Sequence, residues 1–323
     1  MKLSHEKLLQ EAQATDFRPD MIEKVIQLVG LLQSLRSHPY LKERIALKGG
    51  TALNLFAFDL PRLSVDIDLN YIGSADLETM KAERPKLEEA VGAVLSREGF
   101  AARRIPNRHA GGKWVLTFPS ALGQTGTLEL DLNFMFRVPL WPISIQDSCA
   151  VGSYQALKIP VVDRHELAGG KLAALVSRRA SRDLFDAREV FKGLKLDDQR
   201  LRIAFVIFGA MNLKDCRTVS IRDIDFDLRE LERQLLPLLR GKVAEKLVSP
   251  AKWAEQLVEE CRSAMSALLP LRENEQEFLN RLLEQGKAAP ELLTDDSQLA
   301  DRIRSHPNLQ WQTEKLRKFG KKK

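Results

Sequence analysis

Residues 47–72 read LKGGTALNLFAFDLPRLSVDIDLNYI, and the way this stretch alternates decides the fold. The end of a strand runs into a double glycine, a short helix follows over 51–58, Pro61 and Arg62 turn the chain, and a second strand begins near Ser64. Strand side chains alternate with a period of two. Ser64, Asp66, Asp68 and Asn70 therefore fall on one face, and Val65, Ile67, Leu69 and Tyr71 on the other. The pattern predicts a half-buried strand that presents two carboxylates side by side. Such carboxylates repel unless a cation lies between them or one takes a proton, and a divalent metal meets that need. Just upstream, Gly49 and Gly50 open a helix whose unpaired N–H groups and dipole favour phosphate. A phosphate cradle beside metal-binding carboxylates suits nucleotidyl transfer.

Outward from this stretch, residues 1–40 carry helical apolar periodicity, with Ile22, Val25, Ile26, Val29 and Leu32 on a broad face after Pro19. Asp76 is placed to cap a long amphipathic helix that Gly99 ends. Three strands are predicted next, near 101–105, 113–118 and 127–134. The last, TLELDLNF, sets Glu129, Asp131 and Asn133 on one face and Leu128, Leu130, Leu132 and Phe134 on the other. Laid beside the first acidic strand, it would offer Asp131 as a third carboxylate. The stretch 101–113, which spans the turn between the first two strands, is basic, with Arg103, Arg104, Arg108, His109 and Lys113 and no acid. Two readings stand for it: a solvated hairpin, or an arm that touches phosphates of an RNA end.

Proline-rich segments at 138–145 and 158–166 mark a change of character, and helical patterns run from there to about 303. Asp163 and Glu166 have the spacing of a capping box. Helices are predicted over 163–177, 181–193, 197–211, 224–240, 250–267, 272–285 and 290–303. Within 163–190, apolar residues interleave with Lys171, Arg178, Arg179, Arg182, Asp183 and Asp186. On one unbroken helix Lys171, Arg178 and Arg182 share a face; with Ser181 capping a new helix, they do not. A Lys–Arg–Arg group on an apolar background needs anionic partners. A triphosphate would serve, and so would Asp183 and Asp186 as internal ion pairs. The expected organisation is α+β: supporting helices over 1–40, a mixed-sheet core over 41–160, an all-helical domain over 161–312 and a basic tail over 313–323.

Composition removes several classes. With 44% hydrophobic and 29% charged residues, the 323-residue chain has the profile of a soluble globular protein. The longest apolar run, Ile203 to Leu213, is too short to span a bilayer, and the polar N-terminus shows no secretory signal, so a cytoplasmic protein is expected. Cys149, Cys216 and Cys261 lack metal-ligand spacing and suggest reduced thiols. The five histidines stand in unrelated contexts, so no Ser-His-Asp or Cys-His arrangement competes; His165 reads as a plain first-turn helix residue. The net charge of +6 resides in the last nine residues, KLRKFGKKK, with six basic side chains and no acid. A solvated, disordered tail is the first reading of it and a weak RNA-tethering arm the second.

Taken together, KGGTAL (48–53), RLSVDIDL (62–69) and the later EL…KLAAL…R…RDLFD pattern (166–186) resemble the AbiEii/AbiGii-type nucleotidyltransferase toxins. That family includes the MenT toxins and lies in the DNA polymerase β-like nucleotidyltransferase superfamily; SHPNLQW (305–311) is similar to its terminal motif. The resemblance implies that Asp66 and Asp68 are the metal-binding pair, with Arg62 and Ser64 before them, and that Gly49, Gly50 and Thr51 form the phosphate-binding turn. It implies that Lys171 holds the nucleotide phosphates, and that Arg182, Asp183 and Asp186 form the RDxxD element, with Arg178 nearby in sequence. Asp131 rests on the strand argument alone. The activity implied is Mg2+-dependent transfer of a nucleotide from an NTP to RNA, the 3′ end of tRNA in similar enzymes, arresting growth until a winged-helix antitoxin neutralises the toxin. Two alternatives use the same fold: modification of a small molecule or a protein, and a catalytically silent scaffold.

Overall fold

The computed structural model describes residues 3–105, 111–178, 180–212, 215–245, 247 and 249–319. Seven strands form one mixed sheet in the order β3-β4-β5-β2-β1-β7-β6. They are β1 Ile45–Lys48, β2 Asp66–Tyr71, β3 Ala101–Ile105, β4 Gly111–Pro119, β5 Thr125–Asn133, β6 Ser144–Gln146 and β7 Ile159–Val161. β2 runs parallel to β5, and β1 to β7; the remaining pairs are antiparallel. The alternation predicted for β2 and β5 is present. Ile67, Leu69, Tyr71, Leu128, Leu130, Leu132 and Phe134 are buried, whereas Asp66, Asp68, Glu129 and Asp131 keep solvent access. Helix α2, Pro19–Ser37, packs on β5 and β7 through a face that includes the buried Ile22, Val25, Ile26 and Val29. Each such side chain contributes about 1.5–3 kcal/mol of burial.

Local signals set the ends of the helices around the sheet. Ser4 caps α1, His5–Thr15, by accepting from the Lys7 N–H. Short α3, Gly49–Ala52, continues as a π-helical turn over Leu53–Ala57. Asp76 caps α4, Leu77–Arg97, accepting from the Thr79 N–H at 2.7 Å, as expected. This first compact unit comprises Met1–Arg137, Ile143–Val162 and Leu235–Val248. The last segment is tied to it by main-chain bonds, Leu63 N–H to the Leu238 carbonyl (2.9 Å) and Gly241 N–H to the Asp16 carbonyl (2.7 Å).

The second unit comprises Val138–Pro142, Asp163–Gln234 and Ser249–Lys323, and it is helical. Helices α5, Arg164–Arg178, α6, Ser181–Gly193, and α7, Asp198–Ala210, match the predicted positions closely, as do Pro250–Met265 and Glu273–Gln285. Three expectations are corrected. The helix predicted over 224–240 is a series of short turns, because Pro237 has no N–H to donate and Leu238 gives its carbonyl to Leu63. The helix predicted over 290–303 is a 3-10 turn at Pro290–Leu292 and then a new helix, Ser297–Ser305, which Asp296 starts by capping Gln298 and Leu299. The stretch from 313 is not all disordered tail: a helix, Pro307–Phe319, begins at proline and anchors through buried Leu309.

The capping box at the start of α5 also fails. Asp163 accepts instead from the N–H and the ring Nδ1 of His165, both at 2.8 Å. Glu166 turns inward and accepts from the Trp141 N–H at 3.0 Å. His165 is therefore more than a first-turn residue: it is buried, and its Nε2 accepts from the Asp197 N–H at 3.1 Å. Among the described residues no helix is long and apolar enough to cross a membrane.

Candidate active site

Strand register builds the acidic face. In the parallel β2–β5 pair, Asp66 lies opposite Glu129, Asp68 opposite Asp131, and Asn70 opposite Asn133. Neighbouring strands are about 4.8 Å apart, so Asp68 and Asp131 are lateral neighbours, and Asp66 lies two residues along on the same face. Alternation alone puts Asp131 on a polar face and leaves its neighbour open. The register supplies that neighbour.

The glycine turn lies against this face. Gly49 has φ +74°, a left-handed conformation, and a Cβ built on it would lie 2.2 Å from Asp68 Oδ2. Only glycine accepts both the backbone and that contact. Thr51, fully buried, donates to the Asp66 carbonyl oxygen and shares a 3.0 Å hydrogen bond with the Ser64 hydroxyl. Asn54 Nδ2 donates to the Gly50 carbonyl at 2.9 Å. The turn is thus fastened to the root of β2 through its own side chains. Ser64 is buried, and so is Arg62, whose guanidinium donates to the Leu63 carbonyl at 2.7 Å. Arg62 grips its own loop.

The face fits a divalent cation in donor chemistry, since Asp66, Asp68 and Asp131 are hard oxygen donors on register-locked strands. Among the described residues no group of three or more His, Cys, Asp or Glu side chains is placed to hold a metal ion by itself. An ion held here would complete its shell with water and substrate oxygens, as magnesium accepts. Two lysines flank the carboxylates. Lys48 is the register partner of Asp68 on β1 and Lys113 that of Asp131 on β4.

The second predicted group lies in the helical unit. α5 and α6 are separate helices, so the shared face of Lys171, Arg178 and Arg182 on one continuous helix does not exist. Ser181 is not the cap either: that position is Ala180, and the Ser181 N–H donates to Glu230. What the break achieves is an ion-pair cluster between the two helices. The Lys171 ammonium is 2.8 Å from Asp183 and 2.9 Å from Asp186, and Arg178 lies on Asp183 through Nε (2.6 Å) and a second nitrogen (3.2 Å). Lys171, Asp183 and Asp186 are buried. Burial pushes the Asp183 carboxyl up, but Lys171 and Arg178 outweigh it and hold it below the usual carboxylate range. Arg182 is half-buried on α6. The internal ion pairs that the sequence allows are present.

Of the basic hairpin, Arg104 pairs with Glu88 at 2.9 Å and Lys113 with Glu129 at 2.7 Å, while Arg103 is exposed. Arg108 and His109 lie outside the described residues, as does Arg179. Burial raises all three thiols, Cys149 to about 11 and Cys216 and Cys261 to about 12, so none is a ready nucleophile.

Comparison with known proteins bears on the family and the fold. The sequence model described as "Nucleotidyl transferase AbiEii toxin, Type IV TA system" matches residues 30–290. Among solved structures the chain is similar to MenT4, a nucleotidyltransferase toxin from Mycobacterium tuberculosis H37Rv. The TM-score is 0.57 and the identity 16%, over 94% of this chain and 98% of that one. At that identity the likeness shows the α+β fold. No curated protein matches significantly in sequence.

Proposed function

The chain belongs to the AbiEii nucleotidyl transferase toxin family of type IV toxin–antitoxin systems, and from that premise we propose that it transfers a nucleoside monophosphate from an NTP to the 3′ end of tRNA. Family membership makes it a nucleotidyltransferase with an NTP substrate and a cognate antitoxin. The finer reading adds Mg2+ held by Asp66, Asp68 and Asp131, an RNA acceptor, and a winged-helix antitoxin. The observation that supports its metal-binding part is the register of Asp68 on Asp131, with Gly49 pressed beneath the Asp68 carboxylate; the acceptor and the antitoxin rest on the family resemblance.

Each side chain has a part. Asp66, Asp68 and Asp131 bind the ion. An ion held by them would supply Lewis acidity for the attacking hydroxyl and positive charge to offset the departing pyrophosphate. The Gly49 and Gly50 amides face phosphate oxygens, and Thr51 and Ser64 keep that turn in register with β2. For Lys171 the reading rests on the resemblance to the family's phosphate-binding lysine; Asp183 and Asp186 hold its ammonium, and Arg178 holds Asp183. Arg62 holds the loop before the acidic strand.

The test incubates the purified chain and Mg2+ with each α-labelled NTP and total RNA. Label enters tRNA-sized RNA with the unaltered chain and is lost in Asp68→Asn, which removes one carboxylate without changing shape. Label confined to small molecules or protein, or the same transfer by Asp68→Asn, overturns the reading.

A further inference from the structure

We propose that Lys113 is a built-in counter-cation of the acidic face, one that steadies the carboxylates before a divalent ion arrives and competes with that ion for them. This inference rests on the metal-binding reading of Asp66, Asp68 and Asp131. Its ground is a row of register partners across four strands: Lys113 on β4, Asp131 on β5, Asp68 on β2 and Lys48 on β1. Directly opposed residues on paired strands project to the same face, so the row runs positive, negative, negative, positive.

The two lysines are anchored differently. The Lys48 ammonium lies 4.7 Å from the centre of the Phe136 ring, a setting that favours a cation. The Lys113 ammonium is 2.7 Å from Glu129 Oε2, one step along the same face from Asp131. That hydrogen bond is the largest influence raising the Lys113 pKa; burial opposes it, and attraction to Asp131 and Asp66 adds to it. Lys113 is therefore charged and senses two of the three proposed metal ligands.

The physical consequence is a trade. Three carboxylates gathered on adjacent strands repel one another, and an ammonium beside them relieves the strain. Once a divalent cation takes that role, the same ammonium is a like charge next door. A lysine suits this because its point charge rides on a flexible stem, and Glu129 offers it a place to rest. A unit charge one strand away from a divalent ion, on a half-exposed face, changes the ion's affinity by on the order of tenfold.

The experiment titrates the full chain with Mn2+, following free ion by its paramagnetic resonance and the protein by its melting temperature, without NTP or RNA. Lys113→Met is expected to bind Mn2+ about tenfold more tightly than the unaltered chain, yet to melt lower in its absence. Lys113→Arg keeps the charge and the unaltered affinity. Glu129→Gln releases the ammonium towards Asp131 and weakens binding several-fold. Equal binding by the unaltered chain and Asp68→Asn defeats the metal-site reading itself. If Asp68→Asn loses binding while Lys113→Met and Glu129→Gln both stay within twofold of the unaltered chain, or Lys113→Met binds more weakly, the metal site stands and the counter-cation role falls.

Discussion

At Gly49 the backbone and the proposed chemistry make the same demand. Its positive φ costs any other residue about 1–3 kcal/mol, and a Cβ would strike the Asp68 carboxylate. Gly49→Ala is expected to lower the melting temperature by a few degrees and label transfer at least a hundredfold, since small displacements of reacting groups are that costly. Calorimetry and the labelling assay together check this, because a fully active Gly49→Ala would show that Asp68 need not lie where it does. Glu166 carries a second residue-scale prediction. Burial raises its pKa from 4.5 to about 8, so the folded chain holds it neutral where the unfolded chain ionises it. Stability from this group is complete below pH 4.5 and is lost as pH rises towards 8. At pH 7 the loss is at most about 3.5 kcal/mol, from about 2.5 pH units at roughly 1.4 kcal/mol each. Glu166→Gln keeps an oxygen for the Trp141 N–H and cannot ionise. Urea unfolding should find it more stable than the unaltered chain by about 2–3 kcal/mol at pH 7 and equal to it at pH 4.5. The sequence could not announce this role. Asp163 and Glu166 have capping-box spacing, but spacing does not report which way a side chain turns when an apolar pocket and a free N–H lie on the other side.

At the scale of elements, the legible parts were those whose pattern admits one solution. Alternation in 64–71 and 127–134 fixed both the faces and the carboxylates they bear, since a slip of one residue would bury every aspartate. The parallel pairing that sets Asp68 beside Asp131 was not legible, because register between strands far apart in sequence leaves no local trace. Helix periodicity was weaker evidence: it suited 163–190 as one helix or as two, and only the ion pairs between α5 and α6 distinguish them. Those pairs carry the third prediction. Removing one partner of a buried pair strands the other's charge at a cost of about 3–5 kcal/mol. Lys171→Met should therefore unfold at a markedly lower urea concentration. Combining Lys171→Met with Asp186→Asn should recover part of that loss, as coupled neighbours do. If Lys171 also serves the nucleotide, the double variant regains stability without regaining label transfer. Recovery of both would reduce the cluster to scaffolding.

Over the whole chain, two compact units account for the described residues, and the sequence marks only part of that division. The proline-rich stretches flag where the sheet unit gives way to helices. The return of Leu235–Val248 to the sheet unit has no compositional signal; it rests on individual bonds, such as Leu63 N–H to the Leu238 carbonyl and the Arg240 guanidinium to the Thr15 carbonyl at 2.6 Å. Charge is the global property that the sequence does make plain. Without the last nine residues the chain has 44 basic and 44 acidic side chains, so the net positive charge resides in that terminal stretch. Lys315, at its start, extends from the helix Pro307–Phe319 with its ammonium 5.2 Å from the centre of the exposed Trp311 ring. A cation that meets an RNA phosphate displaces a counterion, and each such contact steepens the salt dependence of binding by about 0.7 for single-stranded and 0.9 for duplex nucleic acid. If the six basic residues all meet the proposed tRNA acceptor, deleting 315–323 should flatten the plot of log K against log salt by about 4–5, as read by fluorescence anisotropy of labelled tRNA. Transfer at saturating tRNA should be unchanged, because the carboxylates, the glycine turn and Lys171 all remain. An unaltered slope would mean that the tail meets no phosphate, and that acceptor binding rests on residues such as Arg103 within the otherwise neutral body of the chain.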